Sequence, residues 1–126
     1  MAVKYSDSIF QKMKTIEVTG AETVVVLEPD VSIYKLVFGS TDTVVSFDAS
    51  GLSIADNEAL SLELILSFGS TVCEVEFGEE IAWYDLIPPV LSAPNKDYTL
   101  LMRTEDKARS WNGGAQVSQN NGREAE

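Results

Sequence analysis

Residues 60–67 read Leu60-Ser61-Leu62-Glu63-Leu64-Ile65-Leu66-Ser67. Leucine at every second position is the period of a β-strand with one face in a core, because successive side chains leave opposite sides of the pleat. The alternation recurs downstream. Cys73, Val75 and Phe77 alternate with Val72, Glu74 and Glu76, and Tyr98, Leu100 and Met102 alternate with Thr99, Leu101 and Arg103. Between the first two of these segments, Phe68-Gly69-Ser70 is predicted to close a three-residue hairpin, with Gly69 supplying a positive φ.

Upstream, Val24-Val25-Val26-Leu27 and Ile33-Tyr34-Lys35-Leu36-Val37-Phe38 are apolar on both parities, so both of their faces call for cover. An intersubunit contact through Val25, Leu27, Tyr34 and Leu36 is the expected cover, with the chain's own N-terminal arm or loops as the alternative. Strand-like segments fall at 15–19, 22–28, 31–38, 43–48, 60–67, 71–77, 81–84 and 97–104, separated by turns such as Glu28-Pro29-Asp30, Phe38-Gly39-Ser40 and Ser50-Gly51. The fold expected is all-β, a single antiparallel β-sandwich or jelly-roll-like domain over 15–112. No internal repeat stands out. Residues 1–14 form a short N-terminal arm, with a helix predicted over 4–14 that sets Ile9, Phe10 and Met13 at helical spacing. Residues 113–126 are expected to be a polar C-terminal tail, since from Gln116 onward there is too little apolar surface to offset the entropy of ordering.

The 126 residues carry a formal charge of −11, which disfavours nucleic acid and anionic membranes as partners. The arm is the exception, with Lys4, Lys12 and Lys14 against Asp7, and Ile9, Phe10 and Met13 are the side chains expected to anchor it on a neighbour. There is no histidine, so a Ser-His-Asp or Cys-His arrangement cannot be built, and the single Cys73 lies on an apolar parity where a thiol behaves as a small hydrophobe. Glu79-Glu80, or Glu74 and Glu76 with Asp85, could form a carboxylate pair, but they read as a solvated acidic surface. No Asp-x-Asp-x-Asp-Gly run concentrates oxygen ligands for calcium, and no nucleotide loop is present. The expectation is therefore a non-enzymatic chain with no catalytic residue, no cofactor and no metal. No apolar run has the length of a signal peptide or a membrane span, which points to synthesis in a cytosol.

From Val44 to Trp111 the order of short motifs resembles a small β-sandwich domain of bacteriophage head and tail fibre proteins. The pieces are Val45-Ser46-Phe47-Asp48, Gly51-Leu52-Ser53-Ile54, Leu60-Ser61-Leu62-Glu63-Leu64, Val75-Glu76-Phe77, Ile81-Ala82-Trp83, Pro89-Val90-Leu91-Ser92, Asp97-Tyr98-Thr99-Leu100 and Thr104-Glu105-Asp106 with Trp111. Two loops depart from the pattern: Trp83-Tyr84-Asp85-Leu86-Ile87-Pro88-Pro89 replaces a Trp-Pro approach, and Asp106-Lys107-Ala108-Arg109-Ser110 replaces an Asp-Gly turn. The resemblance implies a virion structural protein made in the host cytoplasm, a homo-oligomer with a trimer favoured, docking on other virion proteins. A second expectation, from the aromatic residues alone, is a carbohydrate-binding or host-recognition module that stacks a host glycan on Trp83, Tyr84 or Trp111.

Overall fold

The computed structural model describes residues 11–83 and 89–123. These contain nine strands and no helix: β1 (Lys12–Glu17), β2 (Glu22–Val26), β3 (Val31–Val37), β4 (Thr43–Asp48), β5 (Leu60–Ser67), β6 (Val75–Phe77), β7 (Ile81–Trp83), β8 (Lys96–Thr104) and β9 (Trp111–Asn120). The fold is all-β, with a six-stranded sheet in the order β1-β3-β5-β8-β9-β7 and a three-stranded sheet in the order β2-β4-β6.

The pairing is mainly parallel, which corrects the antiparallel expectation. From β1 to β6 the chain alternates between the two sheets, and each new strand lies parallel to the one two before it: β3 on β1, β4 on β2, β5 on β3 and β6 on β4. The chain therefore winds, three times, around one core. Only β8 on β5 and β9 on β8 are antiparallel, and β7 returns parallel to β9. The 68–70 hairpin is likewise corrected, because β5 already has β3 on one edge and β8 on the other. Residues 68–74 instead cross from one sheet to the other, with Phe68 buried at the corner, 4.9 Å from the Phe38 ring and 5.8 Å from the Tyr98 ring.

The two-residue period selects what enters the core. Ile16, Leu36, Leu66 and Tyr98 stand in one register row of the large sheet, and Tyr34, Leu64 and Leu100 in another. Val25 and Val45 face them from the small sheet, each fully buried. At roughly 1.5–3 kcal/mol per buried aliphatic or aromatic side chain, these rows are the main source of stability. Trp111 is 1% exposed and packs on Phe47 with ring centroids 4.9 Å apart, joining the two sheets.

Two further expectations change at the ends. Residues 12–14 belong to β1 rather than to a helix, because Ile16 and Val18 enter the core at strand spacing; residues 4–10 of that predicted helix lie outside the described residues. The segment read as a tail from 113 is largely strand β9, which adds its backbone to β8 from Lys96 to Arg103. Beyond it, Asn121 donates from Nδ2 to the Phe68 carbonyl at 2.9 Å and to Asp97 Oδ1 at 3.0 Å. Arg123 donates to the Ser67 carbonyl at 2.6 Å and the Phe38 carbonyl at 2.8 Å, tying the ends of β5 and β3 together. Backbone pairing and these polar clasps order a segment that has little apolar surface to bury.

Candidate assembly surface

Among the described residues, the first wind leaves an edge unpaired in each sheet. Among the described residues β1 pairs only with β3, and β2 only with β4, so both free edges lie at the same end of the winding. Which backbone groups are free follows from alternation along a strand. Val18 N–H donates to the Val37 carbonyl, so the even residues of β1 turn towards β3 and Met13, Thr15 and Glu17 turn away. In β2 the Leu27 N–H donates to the Asp48 carbonyl and the Ala21 carbonyl accepts from Val44, so Glu22, Val24 and Val26 turn away. All six of these residues are exposed. Met13, Val24 and Val26 are among the large apolar side chains most exposed to solvent, at 53%, 52% and 44%. An edge of this length and apolarity is a template for another strand unless something covers it.

The same end carries its own charge compensation. Lys12 pairs with Asp30 at 2.5 Å and Lys14 with Glu28 at 2.9 Å, both across the mouth of the first wind. The hydrogen bond to Asp30 raises the Lys12 pKa, and the reciprocal contact lowers that of Asp30. Tyr34 anchors the following turn from inside. Its hydroxyl accepts from Glu28 N–H at 2.8 Å and donates to the Val31 carbonyl at 3.0 Å, while burial of the ring pushes its pKa up.

Of the expected contact residues that are described, only Met13 stands on this surface. Val25, Leu27, Tyr34 and Leu36 are at most 2% exposed and belong to the core, which removes them as contacts between subunits. Ile9 and Phe10 lie outside the described residues. The exposed residues missed were Val24 and Val26, and the clue to them was parity: they share it with Glu22 and Glu28, which carry charge and stay in water. Thr23, on the buried parity, is satisfied by Thr43, with the two hydroxyl oxygens 2.7 Å apart.

Of the expected glycan-stacking residues, the two that are described do not share a surface. Trp111 is inside the core and presents no ring face. Trp83 is half-buried, edge-on to Phe77 at 5.0 Å, and its indole lies against Gly113, where a Cβ would collide with Cζ3. Tyr84 and Asp85 lie outside the described residues. Cys73 is 3% exposed and its thiol contacts the Gly39 carbonyl at 3.7 Å; burial, with Asp42 adding to it, pushes its pKa up. No group of three or more Cys, Asp or Glu side chains among the described residues is gathered closely enough to hold a metal ion. Among them, too, no helix is long and apolar enough to cross a membrane.

Compared with known proteins, the chain matches no family model, no curated protein and no solved structure. Its function has to be read from the residues themselves. The feature that asks for a partner is the pair of free edges on the first wind.

Proposed function

We propose that this chain is a non-enzymatic structural protein of a bacteriophage virion, a fibre, decoration or attachment component that acts by docking on identical copies and on neighbouring virion proteins. The observation that carries the assembly part is the exposure of Met13, Val24 and Val26 on two free strand edges at one end of the winding. Such edges are ordinarily blunted by charge, proline or a covering segment, and exposed valines do the opposite. The virion part rests on the motif order from Val44 to Trp111. We read the two sheets closed over one core as a β-sandwich wound largely in parallel, in which Trp83 and Trp111 serve packing. The trimer implied by the resemblance is one form of the homo-oligomer, and native mass determines the number of copies.

The test is quantitative mass spectrometry of purified phage particles, with native mass measurement on the isolated chain. The expected result is the chain at a fixed, multiple copy number per particle. Its absence from particles, or turnover of a glycan or ester by the pure protein that one carboxylate substitution abolishes, would overturn the proposal.

A further inference from the structure

The geometry of the free end points to a second copy of this chain as its occupant, paired edge to edge about a two-fold axis; this rests on the assembly reading above. Both sheets end on the same side of the molecule, so one axis running through the two sheets can pair β1 with β1 and β2 with β2, in each case antiparallel. Among the described residues of the two edges, Met13, Thr15, Glu17, Glu22, Val24 and Val26 offer backbone groups to a neighbour. On a two-fold axis a residue meets itself, and where it is one of these six it exchanges both backbone hydrogen bonds with its own copy, so we place such a residue on the axis in each sheet.

The central choices are Thr15 and Val24. With Thr15 on the axis in β1, Met13 faces Glu17 of the second copy, Lys14 faces Ile16 and Lys12 faces Val18. With Val24 on the axis in β2, Glu22 faces Val26 and Thr23 faces Val25. β-Branched residues meet their own kind at both centres, a favourable cross-strand pairing, and no like charges stand directly opposite. Crossing the edges instead, β1 on β2 of the second copy, sets Glu17 against Glu22 when Thr15 meets Val24. Lys12 and Lys14, which would otherwise bring positive charge to the joint, are already paired with Asp30 and Glu28. Joining the edges also places Met13, Val24 and Val26 beside a second chain and makes each sheet continuous through the dimer. Because each copy carries a formal −11, screening by added salt should strengthen the pairing.

The experiment is sedimentation of the full chain over a wide concentration range, with disulfide trapping. Val24→Pro removes no hydrogen bond within the chain, because the Val24 N–H points away from β4. Val24→Lys keeps the backbone and sets like charges on the axis. In the pairing, the two Val24 Cα atoms stand about 5.5 Å apart, inside the roughly 4.4–6.8 Å that a disulfide spans, so Val24→Cys should cross-link to itself. Val44→Cys, equally on the outer face but on an inner strand, is the control, and the native Cys73 is buried. We expect a monomer–dimer equilibrium in wild type, weakened by about tenfold or more in Val24→Pro and Val24→Lys. Val24→Cys should oxidise to a dimer much faster than Val44→Cys. A wild type that stays monomeric or forms a trimer, equal cross-linking of the two cysteine variants, or unchanged dimerisation in both edge variants overturns the pairing. A monomer that is nevertheless abundant in particles overturns the pairing and leaves the virion reading standing; a dimer absent from particles does the reverse.

Discussion

At the scale of single residues, the side chains that matter most are those that the two-residue period brings inward. Trp111 is 1% exposed and bridges the sheets through Phe47, whereas Trp83 is half-buried on Phe77 and Gly113. Trp111→Ala should therefore cost roughly 3–5 kcal/mol, the range of buried aromatic truncations, and Trp83→Ala distinctly less, as read by denaturant unfolding. Equal losses would contradict this placement of the two rings. Asp106 shows how a loop is held by one carboxylate. It accepts from the Ser110 hydroxyl at 2.5 Å, from Ser110 N–H at 2.9 Å and from Thr104 at 2.9 Å, and its pKa falls to about 2, chiefly through the Ser110 side chain. The folded pKa is depressed, so the carboxylate's contribution is complete above the ordinary aspartate pKa of about 3.9 and is lost as pH falls from there through about 2. Carboxyl NMR should give Asp106 a midpoint near 2, and Ser110→Ala should return it towards the ordinary value. A wild-type midpoint near 4 would contradict the arrangement.

Among the elements, β5 and β8 were legible because Leu60, Leu62, Leu64 and Leu66, and Tyr98, Leu100 and Met102, keep a two-residue period. The path between elements was not. Phe68-Gly69-Ser70 has hairpin chemistry, but local turn residues cannot report that both edges of β5 are taken by β3 and β8, which lie 30 or more residues away in register. A signal was present in the repeated Phe-Gly-Ser-Thr at 38–41 and 68–71, two corners that stack with their phenylalanine rings in contact. β9 was illegible for a different reason. Its order comes from backbone pairing with β8 and from the Asn121 and Arg123 clasps on β3 and β5, none of which leaves an apolar pattern. Deleting residues 113–126 should therefore unfold the domain or lower its melting temperature sharply. Arg123→Ala alone should cost about 1–3 kcal/mol, the worth of charged hydrogen bonds to carbonyls. A deletion protein that melts as wild type does would restore the reading of this segment as a tail.

For the whole molecule, the all-β class was open to sequence reasoning, and the winding was not, because its period is irregular. Equivalent positions are 20 residues apart between the first and second winds, as for Ile16 and Leu36, and 30 apart between the second and third, as for Leu36 and Leu66. The segment 49–59 between β4 and β5 absorbs the difference and hides the repeat. The candidate surface was half legible for a related reason. Apolar residues on both parities of 24–27 place Val24 and Val26 on an exposed face, and the expected contacts fell instead on Val25 and Leu27, the buried members of each pair. The winding itself creates the surface, since parallel stacking that begins at β1 and β2 leaves two edges on one end, and assembly through that end is the proposed function. Amide hydrogen exchange, residue by residue and as a function of concentration, tests this most directly. Thr15, Val24 and Val26 should exchange rapidly in the dilute chain and become protected on assembly, while Thr23 and Val25, bonded to β4, should be protected throughout. Rapid exchange at Thr15, Val24 and Val26 in the assembled state would contradict it.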